Sequence, residues 1–543
     1  MGKITFHYAK QTTSIDVYAD ETLLSAAKRA GLMIDSPCNG NGTCGKCKVK
    51  VSVPGKPQEI VLACNTDVQN DAVVEIIECQ DNGNLQIKHD GLASTVEIDA
   101  RIHKEYSRER DVTRVYRNGQ LIVEERGNTE RESYGLAIDI GTTTLVVALV
   151  NLLTGQELAT VGALNPQSRL AQDVLSRVRY ASKEEGLLEM NQLLIEELNQ
   201  MIGQITTDAQ ISSERIYELV FSGNTCMLHL ATNTNPVTLG KYPYTPIVRG
   251  GNSLSAKELG FYLADGAQVY LPPIISAYVG GDITSGILVA RLAEREGTSL
   301  FIDIGTNGEI VLATNGKLVA TSTAAGPAFE GMNISFGMRA APGAVEGFEL
   351  TSEGQSIVKT IADQVPVGIC GSGLLDIVAA MVKKKIISKN GKFNKEITEP
   401  FSPFVTEING KKVFNVAEGV FLSQPDIRQV QLAKGAIRGG IEALLAYQGL
   451  VGAQVDRVLI AGSFGYHLNP ESLIEIGLLP EAFRGKIEFL GNTSKSGGQE
   501  LLINKTSRLE IKQIVEEIAV LELATIDNFD RLFVKYLEFT MAS

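Results

Sequence analysis

Positive charge is scarce in this chain: 50 lysines and arginines stand against 63 aspartates and glutamates, a formal net charge of −13. That balance gives no electrostatic support to a nucleic-acid role, which needs basic patches. Long apolar runs are also missing. The longest, Leu145 to Val150 and just beyond, falls far short of the roughly 20 residues a membrane helix needs. The N-terminal stretch MGKITFHYAK has no extended apolar core and no small-residue cleavage site, so no secretory signal is expected. Cysteine is sparse, odd in number at seven and unevenly spread, which argues against a disulfide framework. The five histidines stand singly and receive no role. No G-x-x-x-x-G-K-[ST] segment exists; GNTSKSGG at 491–498 has the residue types without the spacing, so a P-loop NTPase is excluded. A reducing, cytoplasmic setting is the expectation.

What is present is an ordinary composition, 44% hydrophobic and 21% charged, in 543 residues. That length is too great for a single core and suggests about three or four domains. The cysteines concentrate in SPCNGNGTCGKCKV, where Cys38, Cys44 and Cys47 are spaced by five and then two residues. The short gap lets two thiolates face one metal centre, and glycines 40, 42 and 45 let the backbone wrap closely around it. Cys64 in EIVLACNT is the candidate fourth ligand, with Cys79 in VVEIIECQ as its rival. Around the loop, KITFHYA and SIDVYAD alternate like a hairpin turning at Lys10 to Thr13. Asp20 offers an N-cap for a helix through Ala30 closed by Gly31, and GKCKVKVSV and EIVLAC return as strands. This order resembles the β-grasp of [2Fe–2S] ferredoxins, with a first gap one residue longer than in the plant type. A structural zinc knuckle is the alternative.

Residues 81–133 are rich in charge, as in HKEYSRERDVTRVYR, and are expected to form a compact linker with strands in GLASTVEIDARI and GQLIVEE. Beyond them, GLAIDIGTTTLVVALVN (135–151) runs from an apolar strand through Asp139 and Gly141 to Thr142, Thr143 and Thr144, then into a second strand. LFIDIGTNGEIVLAT (300–314) repeats the design with Asp303, Gly305, Thr306 and Asn307. In each, the glycine lets backbone N–H groups approach an anion and the hydroxyls add hydrogen bonds to phosphate oxygens. The aspartate can hold Mg²⁺ through water or orient an attacking water. A single such turn could be a plain hairpin; two copies argue for a ligand. Further glycine turns lie in FSGNTCM (221–227), YVGGDITSG (278–286), AGPAFEGM (325–332) and GICGSGLLD (368–376). FSGNT and FLGNTS (489–494) echo each other, as in a fold of two related halves.

The paired D-x-G-T loops and the late glycine turn in VLIAGSFGYHLNP (458–470) resemble the acetate kinase, sugar kinase, Hsp70 and actin (ASKHA) superfamily. There the two loops clamp nucleotide phosphates from opposite subdomains, and the late turn touches the adenosine. That resemblance assigns phosphate contacts to Asp139–Thr144 and Asp303–Asn307, and a third contact to Gly462, Ser463 and Gly465. Joined to a ferredoxin, this layout resembles the reductive activators of corrinoid proteins, as do NPQSRLAQDVLSRVRYA (165–181), AGPAFEGMNISFGMRAAPGAV and ICGSGLLDIVA. The resemblance implies a multidomain α/β protein: a ferredoxin-like domain at 1–80, a linker at 81–133, a middle domain at 134–298 and an ASKHA-type ATPase domain at 299–543. It implies Cys38, Cys44, Cys47 and Cys64 as cluster ligands, ATP and Mg²⁺ as further cofactors, and Asp282 and Glu330 as candidates to position water. Its partners would be a Co(II) corrinoid protein and an upstream low-potential donor such as a reduced ferredoxin or flavoprotein, and the chain would be a homodimer. The alternatives are a small-molecule kinase with a regulatory cluster, and an electron-carrier scaffold with no ATPase activity. The activator of 2-hydroxyacyl-CoA dehydratases is disfavoured by the separate ferredoxin.

Overall fold

A computed structural model describes residues 3–540 apart from 9–10, 19–20, 33, 35, 37–39, 41–45, 56, 68–70, 77–91, 93–95 and 463–467. The N-terminal part forms one mixed sheet, ordered Gln11–Asp16, Lys3–Tyr8, Ala72–Ile76, Lys48–Ser52, Glu59–Leu62, with Lys3–Tyr8 and Ala72–Ile76 running parallel. Alternation sets its inner face: Ala72, Val74 and Ile76 are buried, while Val73 and Glu75 are exposed. The helix Leu23–Arg29 lays Leu23, Leu24, Ala26 and Ala27 on that face. This is the expected β-grasp, with two local differences. The hairpin pairs Tyr8 with Gln11, so Gln11 to Thr13, expected in the turn, belong to the second strand. The helix is capped by Thr22, whose hydroxyl accepts from the Ser25 amide, two residues inside the expected Asp20. Gly31 takes φ +73° and closes the helix as expected.

The linker is a three-stranded meander, Ile102–Ser107, Val112–Arg117 and Gln120–Arg126. The first two strands fall in the charge-rich stretch and the third is the expected GQLIVEE, whereas the described residues of GLASTVEIDARI contribute an isolated bridge from Asp99 to Asn504 before the first strand starts at Ile102. The reason is that the inward charges find partners. Arg101, Arg117 and Arg508 surround the buried Glu218, and Lys104 pairs with Glu125 beside Tyr217. Burial alone would raise the Glu218 pKa, but the three guanidinium groups outweigh it and hold the carboxyl below its ordinary value.

Two six-stranded sheets follow and share one plan. The first is ordered Glu157–Leu164, Thr144–Asn151, Tyr134–Ile140, Ile216–Gly223, Gln268–Leu271, Asn252–Ser255. The second, starting from Ala519–Val520, is ordered Lys317–Thr323, Gly308–Thr314, Thr298–Ile304, Arg457–Ala461, Ile487–Gly491. In both, a hairpin begun by a D-I-G-T strand continues antiparallel on one side and parallel on the other. These central strands are buried on nearly every residue, as parallel strands covered on both faces must be. The halves meet through the helices Gly281–Val289 and Thr493–Ile503. A Cβ on Gly497 would lie 2.2 Å from the Ser285 carbonyl oxygen, so only glycine permits that approach. FSGNT and FLGNTS both become a strand, an asparagine cap and a helix, but Ile216–Gly223 pairs directly with the D-I-G-T strand of its half, whereas Ile487–Gly491 is one strand further out. The halves are related; that echo is not their equivalence. Among the described residues no helix is long and apolar enough to cross a membrane.

Candidate active site

The antiparallel register brings the two D-I-G-T turns out at the same ends of their sheets, and the packed helix pair sets them face to face. Between them is a cavity of about 280 Å³. Gly141, Thr142, Thr143 and Thr144 line it from one half, and Gly305, Thr306, Asn307 and Gly462 from the other. Each first turn closes on itself: the Gly141 amide donates to the Thr144 carbonyl at 2.9 Å, and the Gly305 amide to the Asn307 carbonyl at 3.0 Å. A Cβ on Gly141 would lie 2.6 Å from the Thr144 carbonyl oxygen. Gly141→Ala therefore forces the loop open, and nucleotide affinity measured by titration should fall by at least about tenfold with the fold retained.

The cavity floor is acidic. Asp139, Asp282, Asp303 and Glu309 all face it. Asp303 is pushed up to about 7 by burial and by the charge of Asp139. Asp282 is pushed up to about 7 by burial, then by Asp303 and Asp139. Burial, with Asp282 and Asp303, raises Glu309 well above the usual carboxylate range. Asp139 is raised by burial despite its own donors, the Ser494 hydroxyl and the Asn492 amide, both at 2.8 Å. Carboxylates crowded this way either hold protons or share a cation. Among the described residues no three acidic, histidine or cysteine side chains converge to ligand distance of one point. That donor set suits an ion that keeps most of its waters, as Mg²⁺ does.

Glu330 joins the two halves. One carboxylate oxygen accepts from the Thr143 hydroxyl at 2.7 Å and the other from the Thr306 hydroxyl. Behind the first loop, the fully buried Arg177 donates to the Thr142 carbonyl at 2.5 Å, and Asn165 donates to the Gly141 carbonyl at 2.8 Å. Burial lowers the Arg177 pKa to about 10. These residues give the 165–181 stretch its task, which is to hold the loop from beneath.

Of the four candidate cluster cysteines, Cys47 and Cys64 lie within the described residues. Both are buried, their sulfurs 3.2 Å apart without a disulfide, and the Cys64 amide donates to the Cys47 sulfur at 3.5 Å. A 3₁₀ turn, Ala63–Asn65, at the end of its strand aims Cys64 at Cys47. Paired buried thiols with an amide donor fit a thiolate-bound cluster. Cys38, Cys44 and Cys79, like Ser463 and Gly465, lie outside the described residues. Cys226 is buried, with its thiol pushed up to about 12 by burial, and Cys370 sits on the cavity wall bonded to the Val345 carbonyl.

Residues 6–69 match a family described as the 2Fe-2S iron-sulfur cluster binding domain, 134–295 the RACo middle region, and 297–542 the C-terminal domain of RACo, the ASKHA domain. The corrinoid activation enzyme RamQ of Eubacterium limosum is 30% identical over 95% of both chains. The chain belongs to the family of corrinoid-protein reductive activators. A solved structure of a reductive activator for corrinoid, iron-sulfur protein has 30% sequence identity, covers 99% of this chain and 98% of its own, and superposes with a TM-score of 0.74. The [Co(II) methylated amine-specific corrinoid protein] reductase of Methanosarcina barkeri is 25% identical over 75% of this chain and 77% of its own.

In this family member the four other glycine turns singled out in the sequence also reach the cavity, through Asn224, Asp282, Glu330 with Phe329, and Cys370 with Gly371 and Ser372. Gly462 stands against Asp303, where a Cβ would lie 2.8 Å from its carboxylate oxygen. Sequence reasoning missed Glu309, Asn492, Ser494 and Arg339. Glu309 was within reach, because it is the cross-strand partner of Asp303 in a hairpin already recognised. Asn492 and Ser494 lie in the 491–498 segment set aside for lacking P-loop spacing, and Arg339 lies in the AGPAFEGMNISFGMRAAPGAV stretch, of which only Glu330 was singled out.

Proposed function

We propose that this chain is an ATP-dependent reductive activator, passing one electron from a [2Fe–2S] cluster to the Co(II) corrinoid of a methyl-transferring corrinoid protein and restoring Co(I). The observation that carries the reading is the convergence of both D-I-G-T loops on one acidic cavity in a chain that also holds a paired cysteine site. Cys38, Cys44, Cys47 and Cys64 would hold the cluster, which supplies a one-electron carrier near the roughly −400 mV of plant-type ferredoxins. Thr142, Thr143, Thr144, Thr306 and Asn307 offer donors to the phosphates. Asp139, Asp282, Asp303 and Glu309 supply negative charge for a hydrated Mg²⁺ and acceptors for the attacking water. If the cobalt couple lies on the order of 200 mV below the cluster, each electron must be raised by about 4.6 kcal/mol. Closure of the two halves around MgATP offers a route for that free energy, because both contribute loops to one ligand.

The reading divides the chain into 1–80, 81–133, 134–298 and 299–543, with the helix Thr493–Ile503 returning to cover the middle sheet. It includes a homodimer, a cytoplasmic location, and a reduced ferredoxin or flavoprotein as upstream donor. Anoxic protein, a chemical reductant and a Co(II) corrinoid protein, followed at the Co(I) absorption band, provide the test. Co(I) should form only when MgATP is present, with ADP and phosphate as the sole nucleotide products. Equal Co(I) formation without ATP would overturn the coupling, and phosphorylation of an added hydroxyl or carboxylate acceptor would make the protein a kinase.

A further inference from the structure

Lys46, the residue between the cluster glycine loop and Cys47, donates to the main-chain carbonyls of Gly337 at 2.8 Å and Ser335 at 3.3 Å. Those carbonyls belong to the segment that carries Glu330 at one end and Arg339 at the other, both on the cavity wall. The segment is folded tightly on itself. Cβ atoms on Gly331 and Gly337 would lie 2.6 Å from the Met338 carbonyl oxygen and 2.0 Å from the Gly331 carbonyl oxygen, so the backbone of 331–338 is packed closely on itself. Arg339 is the only cationic side chain among the described residues lining the cavity, whose acidic lining also includes Glu330 and Glu346. It makes no ion pair with a described residue. Glu330, meanwhile, occupies the two threonine hydroxyls that a phosphate would use.

We propose that segment 326–343 couples the nucleotide to Lys46 and its neighbour Cys47: phosphate pairs with Arg339 and takes the Thr143 and Thr306 hydroxyls from Glu330, and the resulting shift at Ser335–Gly337 breaks their contacts with Lys46. A carboxylate and a phosphate compete for the same donors, so both cannot be satisfied at once. A displacement of about 1 Å at Gly337 carries a contact of this length beyond hydrogen-bond range. Lys46, next to Cys47, is therefore tied to the ATPase part by these two contacts without nucleotide and loses them with it. The inference rests on the nucleotide-binding half of the proposed function.

Hydrogen–deuterium exchange on the anoxic, cluster-loaded full chain, with and without MgATP, tests it, together with nucleotide titrations of three variants. In the parent, MgATP should change exchange both in 326–343 and in the peptide containing Lys46. Arg339→Gln should weaken MgATP binding about 10- to 100-fold, as loss of a charged phosphate contact does. Glu330→Ala should tighten it by about threefold or more, a direction that misfolding cannot produce. Lys46→Ala should bind MgATP more tightly than the parent, because a contact that ATP breaks opposes ATP binding, and should keep cluster absorbance, while its cluster peptide exchanges at the ATP-bound level throughout. Unchanged affinity in Arg339→Gln, unchanged or weaker affinity in Glu330→Ala, or a parental cluster peptide indifferent to MgATP would each overturn the coupling. Failure of Co(I) formation with these responses intact would instead sink the functional reading and leave the coupling standing.

Discussion

Cys64→Ala removes the visible absorption of the iron–sulfur cluster and lowers ATP-dependent Co(I) formation by at least about 100-fold, while MgATP affinity stays within about twofold of the parent. The expectation follows from the geometry of two thiols. Cys47 is fully buried, with the Cys64 sulfur 3.2 Å away and the Cys64 amide donating to the Cys47 sulfur. Deleting the Cys64 thiol takes away one donor and leaves the remaining buried thiolate without the ion that offsets its charge, so the site loses its reason to bind. Packing alone would cost little, on the order of 1 kcal/mol for a small side chain in a sheet-edge turn. The nucleotide cavity contains neither cysteine, and so affinity for MgATP isolates the cluster effect from general unfolding. Cys79→Ala is the matched control. Retention of the cluster in Cys64→Ala and its loss in Cys79→Ala would transfer the fourth ligand to Cys79.

The parts of this molecule legible in its sequence are those set by short-range chemistry. A turn that needs a glycine, hydroxyls and a strand-end aspartate writes all of them within six residues, so both D-I-G-T hairpins could be placed, and their common orientation follows from two copies of one sheet plan. The β-grasp was readable for the same reason, through alternation and a glycine-closed helix. What the sequence concealed are contacts that tertiary packing creates. Asn492 and Ser494 fasten Asp139 across more than 350 positions, because a helix from the far end of the chain returns to the middle sheet. Arg177 looks like one charge on an amphipathic helix, yet it is fully buried beneath Thr142. Of the two linker strands expected, GQLIVEE forms one, while the other two strands start only from the last residue of GLASTVEIDARI, Ile102, and run where Lys104 and Arg117 meet buried acids, a preference no local pattern encodes.

Titration of the acidic cavity gives the second large effect. Without nucleotide or divalent cation, Asp282 and Asp303 should make the protein lose stability as pH rises from about 4 to about 7, and Glu309, raised in the same direction, adds to the loss. The sign follows from the direction of the shifts. Asp282 and Asp303 titrate at about 7 in the folded protein, well above an unfolded aspartate, so across that interval the native state binds more protons than the unfolded one. Their stabilisation is complete below the unfolded pKa and is gone above the folded one. Both carboxylates open onto the cavity and keep some solvent contact, which reduces the cost to roughly 2 kcal/mol each at neutral pH, or a few degrees of melting temperature for the pair. Asp303→Asn removes one of these charges and relieves the repulsion on Asp282 and Glu309. Its melting temperature at pH 8 should therefore exceed that of the parent, and its pH profile should flatten. ATP turnover should fall at least about 100-fold at the same time, because the carboxylate that would hold hydrated Mg²⁺ or its water is gone. Added Mg²⁺ should stabilise the parent at pH 8 more than the variant. A variant less stable than its parent at pH 8, or one that keeps parental turnover, would show that Asp303 is neither the strained acid nor part of the nucleotide chemistry. Gain of stability joined to loss of turnover is what a charge held in place for a cation predicts, and a merely structural aspartate would lose both.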